Sequence, residues 1–223
     1  MTSKQKNFIW FSFLVPWFIK CRLKLYYIFE KNIPPKKHYS VLDLGVSNNG
    51  YNYFHKGYPY TSKIKAAGLA QKDYFLQKES PQIQYIPVKS TFPYPFRNNE
   101  FDIVHASAVI EHVGSRARQK MFMKEAYRIG KRGMISTPNK DFPVDFHTWL
   151  PFLHWLPNPL YKKIINFLGF KDWDELQNLN FISLKEIEDM AIELNLKNWW
   201  LVKHSTFGLI SNYLLFWDKN NEE

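Results

Sequence analysis

Apolar positions along the chain change period repeatedly, and one stretch organises the rest. Phe101–Val113, FDIVHASAVIEHV, begins as a strand, with Phe101, Ile103 and Val104 as its β-formers. It passes through the small residues Ala106, Ser107 and Ala108 and opens into Glu111 and His112. A strand that ends in polar groups at its carboxyl end is where an open α/β sheet places its ligand. Ahead of it the pattern predicts strands at Val41–Leu44, Ile64–Leu69 and Ile83–Val88, with a short helix at Gln71–Gln77. The segment 46–60, rich in Asn, Gly and Tyr, predicts a loop with at most one helical turn. Behind it, Met121, Phe122, Ala126 and Ile129 keep helical spacing over Arg116–Ile129, and Met134–Thr137 reads as a fifth strand. Two later helices follow, Leu160–Leu168 and Ser183–Asn195, the second opened by a Ser183/Glu186 capping box. Trp199–Thr206 and Asn212–Trp217 are apolar strands joined around Gly208, a hairpin. Strands alternating with helices predict an α/β sheet.

The N-terminus stands apart from this pattern. Phe8–Ile19, FIWFSFLVPWFI, is apolar except for Ser12 and is interrupted by Pro16. It is too short for a bilayer-spanning helix, which needs about 20 apolar residues. Lys20, Arg22 and Lys24 follow it instead of a cleavage site, which argues against a signal peptide. Two expectations stand: an interfacial anchor on an anionic membrane, or a helix packed on the sheet or over its ligand cleft. Pro34-Pro35-Lys36-Lys37 reads as a linker, dividing a basic, aromatic extension (1–37) from the domain proper (38–223).

Charge sharpens the division. Lys4, Lys6, Lys20, Arg22, Lys24, Lys31, Lys36 and Lys37 stand against Glu30 alone in the extension, so most of the formal charge of +10 precedes the domain. The single cysteine, Cys21, excludes an internal disulfide and fits a reducing cytoplasm.

Four segments in order resemble the class I S-adenosylmethionine-dependent methyltransferases, in the small-molecule branch called type 11. Ser40–Gly45 resembles the first strand and glycine loop of that family. Phe92–Glu100 resembles the approach to its fourth strand, Phe101–Val113 that strand and its turn, and Gly133–Asn139 the fifth strand and its exit. The resemblance covers roughly residues 38–217 and implies a Rossmann-like doubly wound sheet, mostly parallel with an antiparallel C-terminal hairpin strand. It also implies S-adenosylmethionine as cofactor, and no metal.

Carried onto this chain, the resemblance assigns cofactor contacts to Asp43, Gly45, Ser47, Asn48, Gln71, Ser90, Thr91 and Ser107. The chain departs from the family in that cradle. Asp43-Leu44-Gly45-Val46-Ser47-Asn48-Asn49-Gly50 keeps the acid and first glycine, but Ser47 and Asn49 replace later glycines. Ala70 stands where an acid usually holds the ribose, with Gln71 beside it, and Ser90 stands where an acid usually lies near the adenine. A hydrogen bond to a charged group contributes about 1.5–3 kcal/mol. Losing two without replacement costs about 3–6 of the roughly 8 kcal/mol that micromolar binding represents. The cradle is therefore either rewired through neutral groups or weakened.

For proton transfer the candidates are His112 and His147, which suit a general base because imidazole titrates near neutral pH. Each is equally well read as a histidine bonded to a loop carbonyl, the reading preferred for His105 and His154. Glu111 is expected to orient a neighbour. The segment Phe142–Trp155 is expected to form a lid or acceptor wall, suited to a small-molecule, glycan- or lipid-linked acceptor. Thr137-Pro138-Asn139 differs from the signature of amino-directed nucleic-acid methylation, which argues against nucleic acid. The alternative to an enzyme is a weakened relative serving as a binding or partner subunit.

Overall fold

The computed structural model describes residues 9–46, 53–145, 148, 150–168 and 179–220. The elements run α1 (Ile9–Asn32), β1 (Val41–Leu44), α2 (Tyr53–Gly57), β2 (Ile64–Gly68), α3 (Tyr74–Glu79), β3 (Gln84–Pro87) and β4 (Phe101–Ser107). They continue with α4 (Arg116–Ile129), β5 (Gly130–Pro138), α5 (Asn158–Phe167), α6 (Leu184–Glu193), β6 (Trp199–Thr206) and β7 (Leu209–Asp218). One seven-stranded sheet has the order β3-β2-β1-β4-β5-β7-β6. The pairings among β1 to β5 are parallel; β7 pairs antiparallel with both β5 and β6. This is the Rossmann-like doubly wound sheet with an antiparallel C-terminal hairpin expected from the resemblance. Strand order reverses between β1 and β4, and the crevice beyond their carboxyl ends is the ligand position of such sheets.

Period-two alternation sends side chains to two apolar layers. Leu42, Leu44, Val104, Ala106, Ile135 and Leu215 pack with Phe122, Met123 and Ala126 of α4 and Ile187, Met190 and Ala191 of α6. Val41, Ala66, Ile103, Met134, Leu214 and Phe216 pack with Leu25, Tyr26, Phe29 and Ile33 at the end of α1. The carboxyl half of α1 is therefore part of the sheet's core. Tyr26 Oη donates to the Gly57 carbonyl at 2.8 Å and Trp200 Nε1 to Asn32 Oδ1 at 2.9 Å. The helix also runs through Pro16, which the sequence reading treats as an interruption.

Three boundaries differ from the periodicity by three or more residues. β5 begins at Gly130, directly after α4, because Lys131 and Arg132 spend their charges sideways, on Asp102 (2.8 Å) and Asp218 (2.7 Å). A pattern scored on apolar residues starts that strand too late. The helix expected at Gln71–Gln77 starts at Tyr74, because Asp73 caps it by accepting from the Leu76 amide. β7 starts at Leu209, earlier than the expected Asn212. The capping box at α6 forms as expected.

Candidate active site

Gly45 ends β1 with φ +94°, and a Cβ there would lie 2.4 Å from Val109 Cγ1. Only glycine both tolerates that backbone and leaves Val109 its place. The Gly45 and Val46 amides donate to the Ala67 carbonyl at 2.8 and 3.0 Å, tying the start of the loop to β2. Opposite, Ser107 ends β4 with its hydroxyl 2.9 Å from Ser136 Oγ of β5, and Ala108 turns left-handed with φ 56°.

Asp43 turns to the α1 side of the sheet and is buried. Its Oδ1 lies 2.6 Å from His105 Nδ1 and its Oδ2 lies 2.8 Å from His55 Nε2. Phe54 stacks on the His105 ring at 3.8 Å, and Phe29 meets it edge-on. Burial raises the Asp43 carboxyl, but the two imidazoles reverse that and hold it well below the usual carboxylate range. The structure thus places Asp43 beneath the cradle loop. His105, read as a histidine bonded to a loop carbonyl, instead faces this carboxylate. Its parity with Ile103, matching that of Asp43 with Val41, is the sequence signal for the pair.

After β2, Ala70 and Gln71 are exposed at the sheet's carboxyl end. Tyr85 of β3, which the sequence reading passes over, reaches across β2 and donates its hydroxyl to the Ala70 carbonyl at 2.7 Å. It lies so close that a Cβ on Gly68 would meet its oxygen at 2.8 Å. Ser90 and Thr91 are exposed after β3. Arg118 holds that loop, donating to the Ser90 carbonyl at 2.6 Å and to the Val113 carbonyl at 2.7 Å.

His112 closes the 3₁₀ turn Ile110–His112 beyond β4 and is half-buried. Gln119 fixes the turn by donating to the Ile110 and Asn180 carbonyls at 3.1 and 2.7 Å. Glu111 is buried and accepts from Thr137 Oγ1 at 3.3 Å, an orienting position. Burial lowers the Arg22 guanidinium of α1 and the charge of Glu111 opposes this, which places α1 over the same turn. His154 Nε2 contacts the Lys140 carbonyl at 3.1 Å, the loop-carbonyl role expected of it. Ser47, Asn48, Asn49 and His147 lie outside the described residues.

Part of 142–156 has an apolar cluster of its own. Leu153, Tyr161 and Ile165 bury one another. Asp145 is buried and accepts from Thr148 Oγ1 at 2.8 Å. Phe152 and Trp155 face outward, 53% and 51% exposed.

Gly45, Ser107, Ala70–Gln71 and Ser90–Thr91 come from four strand ends and surround the β1/β4 switch point. Hydroxyl, amide and backbone groups there, with a glycine that leaves no room for a Cβ, are of the chemistry that can hold S-adenosylmethionine. When bound, that cofactor supplies a methyl group already activated on a sulfonium.

Residues 60–136, from just before β2 into β5, match a family described as a methyltransferase domain, type 11. Solved structures share the fold. The Haemonchus contortus phosphoethanolamine N-methyltransferase 2 in complex with S-adenosyl-L-methionine superposes with TM-score 0.53 at 15% identity. The match covers 79% of this chain and 37% of that one. A SAM-dependent methyltransferase from Aquifex aeolicus gives 0.52 at 13%, covering 86% of this chain and 87% of that one. The [4+2]-cyclase SpnF gives 0.52 at 12%, covering 81% and 59%. A comparison with curated protein sequences gives no match. Sheet order and the match from β2 to β5 give the chain the fold of the class I S-adenosylmethionine-dependent methyltransferases. Over residues 60–136 the chain is similar to the type 11 methyltransferase domains, a family that uses S-adenosylmethionine.

Proposed function

We propose that the protein transfers the methyl group to a hydroxyl, or a similar nucleophile, of a small-molecule, glycan- or lipid-linked acceptor. The observation that carries this reading is the placement of His112, half-buried on a fixed turn beyond β4. There its imidazole takes the proton that the acceptor loses as it attacks, while the fixed strand ends hold donor and acceptor at near-attack distance. His147 is assigned the same role from the acceptor side, and Glu111 orients the turn. Asp43, Gly45, Ser47, Asn48, Gln71, Ser90, Thr91 and Ser107 are assigned to the cofactor. Met1–Lys24 adds peripheral contact with an anionic membrane, supported by its aromatics followed by the exposed Lys20 and Lys24.

One observation favours a second reading, a relative that binds cofactor weakly and serves as a partner subunit. Ala70 presents no carboxylate at the ribose position, and its carbonyl is already engaged by Tyr85. Calorimetric titration with S-adenosylhomocysteine separates the two. Micromolar binding is expected of the enzyme; no heat at millimolar ligand leaves only the second reading.

A further inference from the structure

The β6–β7 hairpin turns through two residues with positive φ, Phe207 at 52° and Gly208 at 79°. Two-residue hairpins of this twist favour Asn-Gly or Gly-Gly, because a bulky side chain is strained at positive φ. This chain places phenylalanine there and leaves it 84% exposed, followed by Leu209 at 53%. Trp199–Val202 and Tyr213–Trp217 of the stem belong to the two apolar layers, whereas Phe207 and Leu209 belong to neither, so the tip's apolar surface is not a by-product of core packing. Strain retained at an exposed aromatic points to a role outside the folded chain.

The position of the tip matters as much as its composition. The last residue of β5, Pro138, pairs with Asn212, so Leu209 and the tip project beyond the carboxyl ends of the parallel strands, at the same end as the β1/β4 crevice. The segment bearing Phe152 and Trp155 is tied to this end as well. Trp155 Nε1 donates to the Lys140 carbonyl at 3.0 Å, and the neighbouring Asn139 amide donates to the Ser211 carbonyl at 2.8 Å. Helix α1 points the same way. It runs beside β6, with Asn32 at Trp200 and Cys21 bonded to Thr206, the last residue of β6. A helical rise of about 1.5 Å per residue carries Ile9–Ile19 about 15 Å past that level. Exposed Lys20, Lys24 and Lys203 lie just behind the tip, and exposed Lys140 lies behind Trp155, with Asp141 the acidic exception.

We infer that this end of the molecule docks on an anionic lipid surface, with Phe207, Leu209, Phe152 and Trp155 in the acyl–headgroup boundary. Aromatic and aliphatic side chains in front of a lysine collar match the chemistry of that boundary, apolar below and anionic above. The docked face lies at the same end of the sheet as the β1/β4 crevice, so an acceptor enters from the bilayer side. The inference rests on the proposed acceptor class only for that last step; the docking itself stands on the tip.

The test uses the full chain and its variants Phe207→Ser/Leu209→Ser, Trp155→Ser and Trp10→Ser/Phe14→Ser. Each is sedimented with vesicles of phosphatidylcholine alone or mixed with phosphatidylglycerol. S-adenosylhomocysteine thermal shift, read in parallel, reports the cofactor site separately from docking. Wild type is expected to pellet with the anionic vesicles only, and the Phe207→Ser/Leu209→Ser protein to lose at least tenfold in partition with its thermal shift intact. Trp155→Ser is expected to lose less. Undiminished pelleting of the Phe207→Ser/Leu209→Ser protein, with Trp10→Ser/Phe14→Ser alone abolishing it, overturns the inference in favour of the N-terminal segment. No vesicle binding, with a self-association in sedimentation velocity that Phe207→Ser dissolves, overturns it in favour of a second copy.

Discussion

His105 Nδ1 lies 2.6 Å from Asp43 Oδ1, between residues that are register partners across the β1–β4 pairing at the switch point. The second carboxylate oxygen binds His55 on α2, so one buried acid joins the two strands that flank the crevice to the helix after the cradle loop. Removing one partner of a buried ion pair costs about 3–5 kcal/mol, because the remaining group stays buried uncompensated. Asp43→Asn is expected to lose that much in urea unfolding, or about 6–20 °C in Tm for a domain of this size. The Asp43 carboxyl is held low by its imidazoles, so its contribution is complete above the unfolded value of about 3.9. It is lost only as pH falls through the depressed folded value. Wild-type stability in the asparagine variant would show that the pair carries no net energy.

His112→Ala is expected to slow methyl transfer about 10²–10⁴-fold, the usual contribution of a general base. S-adenosylhomocysteine affinity should stay within about threefold, since His112 lies beyond β4 and outside the cofactor-binding loops. Single-turnover kinetics beside calorimetry reads both quantities. Lost cofactor affinity in a folded variant assigns His112 to the cradle instead.

Ala70→Glu distinguishes a rewired cradle from a weakened one. The backbone at Ala70 is fixed by the Tyr85 hydroxyl, so the new carboxylate starts from a held position. In a weakened cradle it restores two charge-assisted acceptors for the ribose and is expected to tighten S-adenosylhomocysteine at least about tenfold. In a rewired cradle the exposed Gln71 or the loop already serves the ribose, and affinity stays flat or falls. The neutral hydrogen-bonding groups at Gln71, Ser90 and Thr91 favour rewiring, so the flat outcome is expected.

His204 of β6 is buried, and among the described residues its Nε2 has no hydrogen-bond partner. Burial, and then the charge of Lys24, push its imidazole below the usual histidine value. Between that value and the folded one, the unfolded chain holds the extra proton, so stability rises with pH and falls as the solution is acidified below about 6.5. One proton accounts for a slope of at most about 1.4 kcal/mol per pH unit. His204→Gln is expected to flatten that part of the stability profile, measured by urea unfolding from pH 5 to 7. An identical slope in both proteins places the titrating group elsewhere.

Much of the fold was legible in the sequence because its central strands are buried on both faces and end in recognisable chemistry. Phe101–Val113 yields β4, its turn and His112 in the order the structure shows. The Asp43–His105 pair was legible only through parity, Val41 with Asp43 and Ile103 with His105. His55 was not legible, because it lies on a short helix after a loop without period. Tyr85 was missed for another reason: a strand pattern gives the face of a residue and not the reach of its side chain across a neighbour. β5 was shortened because Lys131 and Arg132 look like solvent-facing residues, whereas both pair with acids on adjacent strands.

The C-terminal hairpin enters the sheet out of chain order, β7 sitting between β5 and β6. β6 is made first but has no seat until β7 follows, since among the described residues it pairs only with β7. Gly133 takes the Trp217 ring where its own Cβ would stand, 2.2 Å from the ring atom, so that seat is shaped for a residue of β7. During synthesis the edge of β5 therefore stays open until the ribosome has released Trp217. Over that interval the nascent chain presents an unpaired strand and half an apolar layer, the form most open to edge-to-edge pairing with another chain.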